Sequence, residues 1–126
     1  MKGSFDPETL QLLDETKEVR IETRRDEDAP AHRTMIWVVT VDGDVFVRSV
    51  RGDRGRWYRE VSAHPSAALH AGDRRIPVRA VPVTDEPTVG AASEAYRGKY
   101  GRTSPGSTRA MLLPETLPTT LKLEPA

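Results

Sequence analysis

The sequence predicts a mostly β fold: a small antiparallel barrel with two accessory helices, formed as a single domain over residues 1–126. Three observations carry this. An almost wholly apolar stretch, Thr34–Val41 (TMIWVVTV), runs straight into Asp42-Gly43, a pair suited to the positive-φ positions of a tight hairpin turn. Ten prolines and nine glycines interrupt the chain too often for long helices. Strong helix-start signatures stand at two places, Asp6-Pro7 and Asp85.

The elements follow in order. Asp6 is a cap and Pro7 a first helical residue, with Leu10, Leu12 and Leu13 along one side of a short helix ending near Glu15. Glu18–Arg25 (EVRIETRR) alternates Val19, Ile21 and Thr23 with charge, as a half-exposed strand does. DEDAPAH is a loop closed by Ala29-Pro30. Thr34–Val41 reads as a strand covered on both faces, either within the domain or by a partner on its outside. Asp44–Val50 is the return strand, with Val45, Val47 and Ser49 on one face and Phe46, Arg48 and Val50 on the other.

Arg51–Gly55 (RGDRG) is a polar connection. Arg56–Ser62 (RWYREVS) resumes the strand, setting Arg56, Tyr58 and Glu60 against Trp57, Arg59 and Val61. His64–Gly72 reads as a loop or helical turn. The two prolines of Arg75–Val83 (RIPVRAVPV) place that strand at an edge or a bulge. Asp85 caps a helix over Glu86–Tyr100, whose Val89, Ala92, Tyr96 and Tyr100 recur at helical spacing and whose stop is Gly101. Residues 102–109 form a loop, and Thr119–Glu124 a closing strand. Six strands result.

Composition excludes several functions. Without cysteine there is no disulfide framework, thiolate chemistry or Cys-ligated metal. No apolar run approaches the roughly 18 residues that span a bilayer. MKGSFDPETL lacks the apolar core of a signal peptide, so a cytoplasmic location is compatible. His32, His64 and His70 have no ligand spacing, so no metal site is expected. Asp26 and Asp28 read as a solvated turn, and no order of residues marks a catalytic triad or carboxylate pair. Net charge is zero, from 19 basic and 19 acidic residues, which argues against nucleic acid as a partner.

The charge is unevenly placed. Residues 6–28 hold nine acids and four bases, whereas residues 47–59 hold five arginines and one aspartate. Those arginines either pair with nearby acids on a solvated face or gather around an anion, which the guanidinium fork suits better than lysine does. The candidate binding set is Arg48, Ser49, Val50 and Arg51 before the turn, and Arg54, Arg56, Trp57 and Tyr58 within and after it. Strand alternation sends Arg48 and Ser49, and also Arg56 and Arg59, to opposite faces, so not all five arginines meet one phosphate. The segment lacks the Gly-Lys-Ser/Thr end of a Walker loop. Trp37, Trp57 and Tyr58 serve either as core or interface fillers or as a wall for a planar ring. Tyr96 and Tyr100 read as helix packing residues.

Three separated blocks, IWVVTVDGDVFVRSVRGDRGRWYRE, AYRGKYG and TTLKLEP, carry a resemblance to a bacterial family known as domain of unknown function 2255, covering Val19 to Pro125. That family is similar to the flavin-like split β-barrels, among them the pyridoxamine-phosphate oxidases and the deazaflavin-dependent nitroreductases. The resemblance implies a six-stranded antiparallel split β-barrel that forms a homodimer, with FMN or a deazaflavin in a groove near the dimer interface. Arg48 and Ser49 then match an Arg–Ser/Thr pair on the third strand, and Arg56 and Tyr58 a second basic and polar set. The cofactor's ring lies along Val47–Val50. Asp53-Arg54-Gly55 stands in the connection where the nitroreductase-like relatives commonly carry a Ser-Lys-like segment, and Asp53 repels a phosphate unless it turns to solvent.

Two functions are compatible with these residues. One is a flavin- or deazaflavin-binding oxidoreductase. The other is a non-catalytic barrel that binds another small anionic ligand or a protein partner. The apolar stretch Met35–Val41 adds an expectation of a homodimer that buries part of the sheet.

Overall fold

The computed structural model describes residues 4–126. The first three residues of MKGSFDPETL, where no signal peptide is expected, lie outside the described residues. The elements are α1 (Pro7–Glu15), β1 (Val19–Thr23), β2 (His32–Ile36), β3 (Val39–Val41), β4 (Asp44–Val47), α2 (Arg56–Ala63), β5 (Ser66–Ala71), β6 (Arg74–Pro82), α3 (Glu86–Tyr100), α4 (Pro105–Met111) and β7 (Leu121–Pro125). Short 3-10 turns at Gly52–Arg54 and Leu117–Thr119 complete the chain.

All strand pairs are antiparallel, in the order β2-β1-β5-β6-β7-β4-β3. The outermost strands β2 and β3 are separated in sequence only by Trp37 and Val38. Two residues reach about 7 Å. The sheet therefore curls until its edges approach, which makes it the expected split barrel, with seven strands where six were counted.

Thr34–Val41 accordingly breaks into two strands. The freed backbone at the break is satisfied from α3: the Val38 N–H donates to Tyr100 Oη at 3.2 Å, and Lys99 Nζ donates to the Val38 carbonyl at 2.7 Å. Val38 points into the barrel with Val45, Val47 and Leu123, while Val39 packs outside with Phe46, Tyr96 and Met111. The cover over this outer face comes from α3 and α4 of the same chain. The hairpin turn is as read, with Asp42 at φ 50° and Gly43 at φ 86°.

The expected strand Arg56–Ser62 is instead the helix α2. Trp57, Glu60 and Val61, spaced i, i+3 and i+4, form its buried side. Glu60 is charged yet faces inward because Thr23 Oγ1 donates to it at 2.6 Å and His32 Nδ1 lies 3.1 Å away. Counting Glu60 as an outward residue produces the false two-residue alternation.

Three further corrections concern the C-terminal half. His64–Gly72 is not a loop, for β5 pairs with both β1 and β6 through Ile21↔Leu69 and Leu69↔Ile76. The strand expected at an edge, β6, lies inside the sheet. Its Pro77 carbonyl accepts the Ala126 N–H at 3.2 Å, and N and C=O of one strand residue point the same way. The missing Pro77 donor thus faces Ala126, just past β7, so its loss falls at the end of the β6–β7 ladder and not against β5. Residues 102–109 hold the start of α4, not only loop.

The outer face of β1 carries Glu22, with His70 Nε2 at 2.7 Å and Arg75 Nη2 at 3.3 Å. Arg75 and then His70 hold its carboxyl down to about 2 from the usual 4.5. A carboxylate with a depressed folded pKa stabilises above its unfolded pKa and loses that contribution as pH falls. Melting temperature should therefore drop between pH 4.5 and pH 2, and Glu22→Gln should flatten that part of the profile. A variant curve parallel to the parent's in this window would show that Glu22 is not the group responsible.

Candidate functional site

Beyond β4 the chain stays buried for two more residues, Arg48 and Ser49, each 1% exposed. It then turns through Gly52, at φ 65°, into Gly55 and the head of α2. A cleft of about 740 Å³ opens here between this segment, β2, α4 and the α1–β1 connection.

One corner of the cleft gathers hydrogen-bond donors and positive charge. The Ser49 N–H donates to Thr119 Oγ1 at 3.0 Å and its carbonyl accepts the Gly52 N–H at 2.9 Å. Its hydroxyl, by contrast, has no hydrogen-bond partner among the described residues. A Cβ on Gly55 would lie 2.5 Å from Ser49 Oγ, so the hydroxyl rests against a bare Cα. Gly55 is the N-cap of α2 and supplies no side-chain cap. The first intrahelical bond runs from the Arg59 N–H to the Gly55 carbonyl at 3.0 Å. The N–H groups of Arg56, Trp57 and Tyr58 precede it, at the positive end of the helix dipole. Arg51 and Arg56 are exposed and line the same cleft, and Lys17 stands on its wall.

Arg48 lines the cleft but commits its guanidinium to the protein. Nε donates to Thr120 Oγ1 at 2.8 Å, Nη1 to the Met111 carbonyl at 3.1 Å and Nη2 to the Val89 carbonyl at 2.8 Å. Its Cζ sits 5.3 Å from the Tyr96 ring centroid. One side chain thus ties β4 to α3, α4 and the approach to β7. Burial holds its pKa below the usual range for arginine. Tyr96 is wholly buried, its hydroxyl has no partner among the described residues, and burial raises its pKa.

Val50 and Trp57 also line the cleft, whereas Arg54 and Tyr58 do not. Asp53 is exposed and away from the lining, so it does turn to solvent. Trp37 lies flat on Tyr100, with centroids 3.9 Å apart and planes 1° apart, and its remaining surface faces the cleft. Tyr100 Oη in turn donates to the Lys17 carbonyl at 2.6 Å, fixing the wall that carries Lys17 and Glu18. Sequence reasoning missed Lys17, Glu18, Ser104 and Ser107. They come from segments far apart in the chain, and no local pattern marks them.

The lining combines polar donors, positive charge and flat aromatic surface. Among the described residues it offers a free hydroxyl, uncapped N–H groups, the cations Lys17, Arg51 and Arg56 besides the committed Arg48, against the carboxylate of Glu18, and two indoles. Among the described residues no three His, Cys, Asp or Glu side chains gather as a metal site, and no helix is long and apolar enough to cross a membrane.

A family model described as "Uncharacterized protein conserved in bacteria (DUF2255)" matches residues 9–123. No curated protein matches the chain. Among solved structures it is similar to HutZ, the heme storage protein from Vibrio cholerae, at 13% identity and TM-score 0.65, over 98% of this chain and 92% of that one. It is similar to an F420-H2 dependent reductase, FDR-A, at 15% identity and TM-score 0.62, over 85% of this chain and 93% of that one. A putative pyridoxamine 5'-phosphate oxidase from Listeria innocua is comparable, at 14% identity and TM-score 0.61, over 94% and 90% of the two chains. At these identities the likeness is one of fold.

Proposed function

The chain belongs to the DUF2255 family, and from that premise we propose that its cleft binds a small planar anion of the flavin class, FMN or a deazaflavin, in an oxidoreductase-like role. The unpartnered Ser49 hydroxyl against Gly55, at the uncapped head of α2, is the observation that carries this proposal. Ser49 and the first α2 N–H groups would hold the anionic oxygens, with Arg51 and Arg56 neutralising their charge. Trp57, Trp37 and the Val50 segment would wall the ring from water. Arg48 acts from beneath, by fixing the α4 side of the cleft. When bound, the cofactor would supply hydride transfer. Arg54 and Tyr58 stand outside the cleft and take no part in this set.

A homodimer belongs to the same proposal. Met35 is 57% exposed and Val50 56%, and both lie on the cleft rim, where a second copy would cover them. Light scattering at micromolar concentration should give the mass of two chains, and a monomer would refute the dimer.

The binding test is an absorbance spectrum of fresh protein, followed by titration with FMN and with deazaflavin at low and high salt. Saturable uptake of one of them is expected, weakening with salt because Arg51 and Arg56 are exposed. One observation favours a second reading, a non-catalytic anion-binding barrel: among the described residues the lining holds one carboxylate, Glu18, and neither His nor Tyr. In that case inorganic phosphate would raise the melting temperature while neither cofactor bound.

A further inference from the structure

A second cleft, of about 360 Å³, lies between α1, β3 and α3, and shares no lining residue with the first. Asp14, Val39, Thr40, Ala95, Gly98 and Lys99 line it. Lys99 Nζ donates to the Leu13 carbonyl at 2.8 Å and to the Val38 carbonyl at 2.7 Å. A tetrahedral nitrogen with one bond to Cε and two hydrogens held by carbonyls has one position left. The neighbours on its own helix are small. A Cβ on Gly98 would meet nothing within 4 Å, so the approach is open.

We propose that Lys99 is a modification site whose amine takes a single small carbon substituent from an uncharged aldehyde entering this cleft. The nitrogen lone pair attacks the carbonyl carbon and the C=O π pair moves to oxygen. Two protons pass from nitrogen to that oxygen, water leaves, and an imine remains. A hydride donor then reduces the protonated imine to a secondary amine.

The geometry favours that product and no larger one. A secondary ammonium keeps two N–H donors for Leu13 and Val38, and keeps its charge 5.2 Å from the Tyr100 ring centroid. A second substituent would displace one of the two carbonyl bonds. The charged or titratable groups facing Lys99 are Asp14 from α1 and Tyr100 from α3, while β3 contributes uncharged Val39 and Thr40. Burial brings the amine down to about 8 from the usual 10.5, opposed by Asp14. It is therefore free of its extra proton more often near neutral pH than an exposed lysine is.

The test is formaldehyde with cyanoborohydride at neutral pH, read lysine by lysine by peptide mass spectrometry. Lys99 should react several-fold faster than Lys17 or Lys122 and should stop at monomethyl while those two proceed to dimethyl. Asp14→Asn, which removes the charge favouring the ammonium form, should speed Lys99 labelling. Gly98→Val, which fills the cleft without touching the amine, should slow it. Labelling of Lys99 no faster than Lys17 and Lys122, or its ready dimethylation, overturns the proposal, and the parent protein alone supplies that result if either variant fails to fold.

Discussion

Arg48→Ala should destabilise the fold by about 3–5 kcal/mol, from three buried acceptors left without their donor and the cavity that remains. Three acceptors lose their donor at once: Thr120 Oγ1 and the Met111 and Val89 carbonyls. Hydrogen bonds to charged groups are worth about 1.5–3 kcal/mol each, and a cavity beside Tyr96 adds to the loss. Urea and thermal unfolding would check this, with a fall in melting temperature on the order of 10 °C or more. Arg48→Lys should recover only part of it, because a single ammonium cannot span acceptors on three elements. A cost below about 1 kcal/mol for the alanine variant would mean that the three contacts do not hold α3, α4 and the approach to β7 together.

Gly55→Ala should have the opposite profile, weak on stability and strong on binding. The new Cβ would sit 2.5 Å from Ser49 Oγ, so the hydroxyl must rotate away from the head of α2. Losing one hydrogen bond to an ionised ligand costs about 1.5–3 kcal/mol, or roughly 10- to 100-fold in affinity. Titration of the variant with FMN, deazaflavin and inorganic phosphate measures that loss, and a melt confirms that the barrel is intact. Gly90→Ala is the matched control, since a Cβ there meets nothing within 4 Å. Unchanged affinity in Gly55→Ala would place the anion elsewhere in the cleft.

The sequence displayed features whose cause is local. Asp42-Gly43 had to be a turn because of its backbone angles, and Asp85 had to cap α3 because its carboxylate meets the Thr88 N–H, at 3.0 Å. Features caused by distant residues were hidden. Glu60 faces the barrel only because Thr23 and His32 wait there, so α2 looked like a strand. Ala67, Ala68 and Leu69 have little strand preference of their own, and β5 exists because β1 and β6 flank it. The candidate site divides in the same way. Ser49, Arg51 and Arg56 flank one short turn and were visible together. Lys17 and Glu18 reach the cleft from the α1–β1 connection and Ser104 and Ser107 from the head of α4, segments far from that turn in the chain. Arg48 stood out as a base in the right segment, but its ties to Val89, Met111 and Thr120 span most of the chain's C-terminal half.

The order of strands also has a consequence for biosynthesis. Among the described residues the four strands β2-β1-β5-β6 and the β3-β4 pair are joined in the sheet through β7, which is made after all the others. A nascent chain emerging from the ribosome therefore carries two unsealed pieces of sheet, each with a bare edge, until Leu121–Pro125 clears the exit tunnel. Closure waits on β7, and until it docks those edges are the surfaces most in need of a chaperone.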